Sequence, residues 1–152
     1  MNVFRLQISF FLITALTTLP LNAGELDGKG VVCRDLSDLN FLYPHSVVFG
    51  FRFLEGSVEG DSVRGLNERV AVERFAVSDE APYRVTASQI SWWNTYELNR
   101  KTLQLKFVVE GEVMFEKQCE VFADIQSYAD RLEADRIAIQ KEINQAMKGN
   151  KI

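Results

Sequence analysis

The stretch Ser46-Val47-Val48-Phe49-Gly50-Phe51-Arg52-Phe53-Leu54 decides how the chain is read. Val47, Phe49, Phe51 and Phe53 share one parity while Arg52 takes the other, which is the period-two signature of a half-buried strand. The same period recurs on both sides of it. Lys29 to Leu36 is a short first strand with Val31 and Cys33 on one face, and Arg69 to Val77, Tyr83 to Trp92, Trp93 to Asn99 and Thr102 to Glu110 follow. Val113 to Phe122 is the last, with Val113, Phe115, Cys119 and Val121 on one parity. Between these runs, Gly56, Gly60 and Gly65 with Asp61 mark turns or a loop, and Asp79-Glu80-Ala81-Pro82 marks a turn. Asn99-Arg100-Lys101 reads as a hairpin turn and Glu110-Gly111-Glu112 as a tight one.

About seven strands joined by short connections imply an antiparallel meander. Such a sheet leaves two exposed edges, which closure removes, so a closed or nearly closed barrel is expected, with a β-sandwich as the alternative. The two cysteines fit closure. Cys33 lies in the first strand and Cys119 in the last, each on the apolar parity, so a bond between them brings the ends of the sheet together. It closes a span of 86 residues, for which chain entropy predicts about 4.5 kcal/mol of stabilisation.

The case for a disulfide rests on compartment. Residues 1–23 read as a secretory signal peptide: Arg5 gives the positive start, an apolar run extends from about Leu6 to Leu19, Pro20 breaks it, and Leu21-Asn22-Ala23 forms a cleavage site before Gly24. That run is too short and too Thr-rich for a membrane span, which needs about 20 apolar residues. Export, periplasmic or secreted, favours pairing of an even cysteine count. Of 152 residues, removal of 23 leaves 129, the size of one domain. Arg5 is the only charge lost, so 16 basic residues face 21 acidic ones, a net of about −5. A mildly acidic surface excludes nucleic acid as the expected partner.

From Ala123 the period becomes helical, which divides the mature chain into a β-barrel-like part, 24–122, and a C-terminal helix, 123–152. Asp124 is the expected N-cap, and Ile125, Tyr128, Leu132, Ile139 and Ile143 form a narrow apolar stripe that Arg136 interrupts. A helix of about 24 residues is about 36 Å long. Its first half is expected to dock and its second half to extend into solvent or meet a protein partner.

Chemistry leaves few marks. His45 is the only histidine, and after Pro44 a turn residue explains it. No catalytic, cofactor-binding or metal-ligating residue stands out, and no glycine-rich phosphate loop is present. Trp92 and Trp93 are the candidate surface for a ligand or partner, because neighbours in a strand point to opposite faces and one of them should be less buried.

The segment Ile90-Ser91-Trp92-Trp93-Asn94-Thr95-Tyr96-Glu97-Leu98-Asn99-Arg100-Lys101-Thr102-Leu103-Gln104-Leu105, with Gln118-Cys119-Glu120-Val121 later, resembles a pattern in small exported bacterial proteins of uncharacterised function. There, a strand ending Leu-Asn/Asp-Arg precedes a Thr-Leu-x-Leu strand, and a cysteine comes near the last strand. The resemblance implies a hairpin turned by Asn99-Arg100-Lys101 and brings no activity. Similarity to lipocalin-type barrels is more general; those usually carry Gly-x-Trp at the first strand, where this chain has Gly28-Lys29-Gly30. The expected function is a noncatalytic binding or interaction protein of the cell envelope, with carriage of a small apolar ligand as the alternative and an enzyme using a carboxylate site as the second.

Overall fold

The computed structural model describes residues 26–34, 48–66, 69–75 and 82–149. The expected signal peptide, residues 1–23, His45 and Asp79-Glu80-Ala81 lie outside these. Among the described residues, nine strands precede one helix: β1 Gly30–Arg34, β2 Val48–Leu54, β3 Ser57–Leu66, β4 Arg69–Phe75, β5 Arg84–Val85, β6 Gln89–Trp92, β7 Tyr96–Asn99, β8 Gln104–Val109, β9 Glu112–Phe122 and α1 Ile125–Gly149. All nine strands form one antiparallel sheet in the order β4-β3-β2-β1-β9-β8-β7-β6-β5, curled into a half-barrel.

The first strand does pair with the last, from Gly30 opposite Phe122 to Arg34 opposite Gln118. The opening lies instead between β4 and β5, which follow one another in the chain. Two features keep it open. β5 has only two residues, and on the β4 edge the Val70 N–H already donates to Gln140 Oε1 of the helix at 2.8 Å.

Two strands exceed the sequence expectation. The glycine-bearing stretch expected as turns or a loop is β3, ten residues paired to both β2 and β4. Only Gly56 turns the chain: Glu55 and Gly56 have φ of 49° and 79°, the paired left-handed conformation of a two-residue hairpin. Gly60 is in the strand because the Phe75 ring lies against it where a Cβ would stand. The expected strand Tyr83 to Trp92 divides into β5 and β6, since Thr86 donates through both N–H and Oγ1 to the Gln89 carbonyl and folds the chain back.

The sheet buries side chains on both faces. On the concave face Val31, Cys33, Phe51, Phe53, Trp92, Leu98 and Leu105 form the main core; on the outer face Val32, Val48, Val63 and Val70 meet Tyr128, Leu132 and Ile139 of α1. Asp124 caps that helix as expected, accepting the Ser127 N–H at 2.7 Å, and the bond from that N–H holds its carboxyl below the usual range. Docking does not stop at the midpoint. Ile139 is buried, Gln140 grips β4 and Ile143 approaches Gly65. The gap in the apolar stripe is Asp135, which is buried and ion-paired to Arg34 at 2.9 Å. Arg136 faces outward and pairs with Glu133.

Candidate functional site

The concave face is layered along β2. At one end Phe53, 0 % exposed, packs edge-on against Tyr83, whose hydroxyl donates to Asp27 Oδ1 at 3.1 Å and accepts the Leu26 N–H at 3.2 Å. That end is sealed. Phe51, also 0 % exposed, fills the middle against Trp92 and Tyr96. At the other end, six aromatic side chains touch in a closed cycle. Ring centroids run Phe49 to Phe75 at 6.0 Å, Phe75 to Trp93 at 5.9 Å and Trp93 to Tyr96 at 5.6 Å. The cycle completes through Tyr96 to Phe107 at 5.0 Å, Phe107 to Phe115 at 4.9 Å and Phe115 back to Phe49 at 5.6 Å. Tyr96 is buried, which pushes its hydroxyl above the ordinary tyrosine range; the other five are only partly buried.

Both tryptophans belong to this face. Trp92 is 1 % exposed, stacked on Tyr96, and its indole N–H has no acceptor among the described residues. Trp93 is half-buried. Strand alternation does not separate them because Trp93 is not in a strand: with Asn94 it makes the β6–β7 turn, at φ of 53° and 55°, closed by the Thr95 N–H donating to the Trp92 carbonyl. This left-handed backbone, costly for an aromatic residue, turns the Trp93 ring back over Phe51 and Phe75.

Lys117 completes the setting. It lies on the concave parity of β9 between Phe115 and Cys119, is buried, and holds Nζ 5.4 Å from the Phe49 ring centroid and 5.5 Å from that of Phe115. The sequence signal was the parity gap at 117 in an otherwise apolar alternation. The parity expected for Val113 and Val121 does not bury them. They are 49 % and 42 % exposed, and a register shift in the β8–β9 pairing beyond Phe107 separates Val113 from Phe115.

Cys33 and Cys119 are disulfide-bonded, directly opposite in the β1–β9 register with Cα atoms 4.0 Å apart. The Cys119 N–H donates to the Leu103 carbonyl on the β8 side. Cys33 and Cys119 are therefore a non-hydrogen-bonded pair, the closer of the two antiparallel spacings.

The outer face carries charged side chains beside the apolar seat of α1. Beneath α1, Tyr128 donates to Asp61 Oδ2 at 2.8 Å, and Arg52 reaches Asp61 at 3.1 Å and Glu59 at 2.8 Å. Burial, then the bond to Asp61, drive the Tyr128 hydroxyl well above the ordinary tyrosine range. These carboxylates are engaged structurally. Beyond the helix, the outer face of β6 to β8 forms a shallow groove of about 180 Å³ lined by Ser88, Gln89, Glu97, Asn99, Gln104 and Lys106. Among the described residues, no group of three or more His, Cys, Asp or Glu could hold a metal ion, and no helix is long and apolar enough to cross a membrane.

Comparison with family models, with curated proteins and with solved structures finds no match to this chain.

Proposed function

We propose that this chain is an exported, noncatalytic binding protein of the bacterial cell envelope, which holds another molecule and does not transform it. The carrying observation is the uneven covering of the half-barrel. One end of the concave face is sealed by Phe53 and Tyr83, while the other presents five partly exposed aromatic rings in one contiguous cycle. Apolar surface gathered on a concavity is the ordinary form of a binding site. The disulfide supports export, since such bonds persist in oxidising compartments. Resemblance to small exported bacterial proteins is consistent with that location. A partner held through α1 is the weaker reading, because Tyr128, Leu132 and Ile139 are spent on the sheet and the large apolar residues left exposed on the helix are Ile137 and Met147.

Native mass spectrometry of the protein recovered from its own cell envelope tests this. The expected result is a chain beginning at Gly24, with the disulfide formed, carrying an adduct that denaturation releases. An adduct of small mass indicates a ligand, and one of many kilodaltons a protein partner. A chain that stays bare at every salt and detergent condition counts against the proposal.

A further inference from the structure

We infer that the groove on the outer face of β6 to β8 is a binding site of its own, independent of the concave face, and that it takes one ring of a neutral sugar chain.

Strand register builds the groove. Glu97 lies opposite Ser91 on β6 and Lys106 on β8, Lys106 lies opposite Glu116 on β9, and Gln89 lies opposite Asn99. Residues paired in this way share a face, so hydrogen-bonding side chains from four adjacent strands stand side by side. The seat of α1 is on β1 to β4 and β9, and no helix residue lines the groove. Its volume of about 180 Å³ equals that of roughly six waters in the liquid. It is smaller than the pockets that enclose drug-sized molecules and suits a single sugar ring.

The polar groups in it are unevenly engaged. Gln104 Nε2 donates to Glu116 Oε2 at 2.8 Å, and the Lys106 ammonium lies 3.3 Å from Glu116 Oε1. Asn99 Oδ1 accepts the Lys101 and Thr102 N–H groups at 2.9 and 3.0 Å, which leaves its Nδ2 as a donor. Glu97 is half-buried and has no hydrogen bond or ion pair among the described residues, because the lysine opposite it pairs with Glu116. Other shielded carboxylates of the outer face are ion-paired, Asp61 with Arg52 and Asp135 with Arg34. Glu97 is the exception, and it belongs to the groove.

The ligand class follows from the mixture of groups. Glu97 only accepts, Asn99 Nδ2 only donates, and the Gln89 carboxamide and Ser88 hydroxyl do both. Neighbouring hydroxyls of a sugar ring are each donor and acceptor, so they satisfy all of these at once. Glu97, Glu116 and Lys106 together carry one net negative charge, which disfavours an anion. A cation would meet one half-exposed carboxylate, a small gain, and would leave the amide and hydroxyl donors unmatched.

The experiment titrates the oxidised chain with maltotriose, cellotriose and triacetylchitotriose, and separately with the cation spermidine. At least one trisaccharide at millimolar concentration is expected to give saturable NMR shifts centred on the side-chain amides of Gln89, Asn99 and Gln104. Glu97→Gln should weaken that binding about tenfold or more, as for a lost bond to a charged acceptor. Its urea midpoint should stay unchanged, since Glu97 ties no other element down. A lowered midpoint would make the carboxylate structural and overturn the site. So would shifts centred on Trp93 and Phe107, saturable shifts from spermidine alone, or no shift from any of the three sugars.

Discussion

Gly50 lacks a Cβ because Tyr128 stands where one would be: the nearest atom to a Cβ built there is the tyrosine hydroxyl oxygen, and Gly30 is crowded by the same ring. The helix thus docks by seating one aromatic side chain in a slot made of two glycines on adjacent strands, with Asp61 accepting the hydrogen bond of its hydroxyl. Gly50→Ala should cost about 1–3 kcal/mol in urea unfolding, the usual range for overpacking, and Tyr128→Phe about 1.5–3 kcal/mol for a bond to a charged acceptor. The double variant should be less destabilised than the sum of the two, since removal of the hydroxyl takes away the nearest clashing atom; strict additivity would place the slot elsewhere. The same hydroxyl sets an alkaline limit. Its folded-state pKa is raised above the unfolded value near 10.0, so the native state keeps the proton longer, and the stability it contributes is complete below about pH 10 and is lost as pH rises through the folded value. Between pH 9 and 11.5 the urea midpoint should fall less steeply in Tyr128→Phe than in the unaltered chain, with Tyr96 supplying part of the remaining slope.

At the scale of elements, the helix ties down an edge as well as covering a face. Its Gln140 accepts the Val70 N–H of β4, a donor that a free edge strand would offer to a neighbouring chain. Gln140→Ala is expected to cost about 1 kcal/mol and to increase self-association in sedimentation velocity. A chain ending at Ala138 loses Ile139 and Ile143 as well, so its stability should drop by about 3 kcal/mol or more, as for loss of buried aliphatic side chains; an unchanged urea midpoint would mean the second half of α1 contributes nothing. The β6–β7 turn sets two effects against each other: Asn94→Gly relieves the second left-handed position but frees the unfolded chain, so the urea midpoint should move by less than about 0.5 kcal/mol in equivalent stability. These elements also show what the sequence made legible. The alternation around Phe51 identified β2, and Asp124 marked the helix start, because side-chain parity and an N-cap are local properties. β3 was hidden because its glycines serve tertiary contacts, Gly60 against the Phe75 ring, and a loop and a crowded strand share that composition. The aromatic cycle was hidden for a related reason. Strand parity assigns Trp93 to the far face, and only the backbone of a turn places it beside Phe75.

For the whole molecule, the strand order is a meander curled into a half-barrel whose two edges, β4 and β5, are successive strands in the chain. β1 to β4 and β5 to β9 are each built from sequence neighbours, and the β1–β9 ladder alone joins the two halves by backbone pairing among the described residues. Five residue pairs make that ladder, and Cys33 and Cys119 face one another within it. The bridge therefore sits where its effect on the unfolded chain is large, closing a span of 86 residues, and where the two halves of the folded sheet meet. Chain entropy predicts a loss of about 4.5 kcal/mol on opening it, which for a domain of this size lowers the melting temperature by roughly 10–20 °C. Thermal melts with and without a phosphine reductant should show that drop. Hydrogen exchange on the reduced chain should find the amides of β1 and the facing part of β9 exchanging before those of the β2–β3 hairpin, because the seam loses its crosslink while the hairpin keeps its turn and its neighbours. If the reduced chain melts within a couple of degrees of the oxidised one, the two halves are held instead by the aromatic layer that Phe51 and Phe53 make with Trp92, and the disulfide is a passenger in a join that packing alone secures.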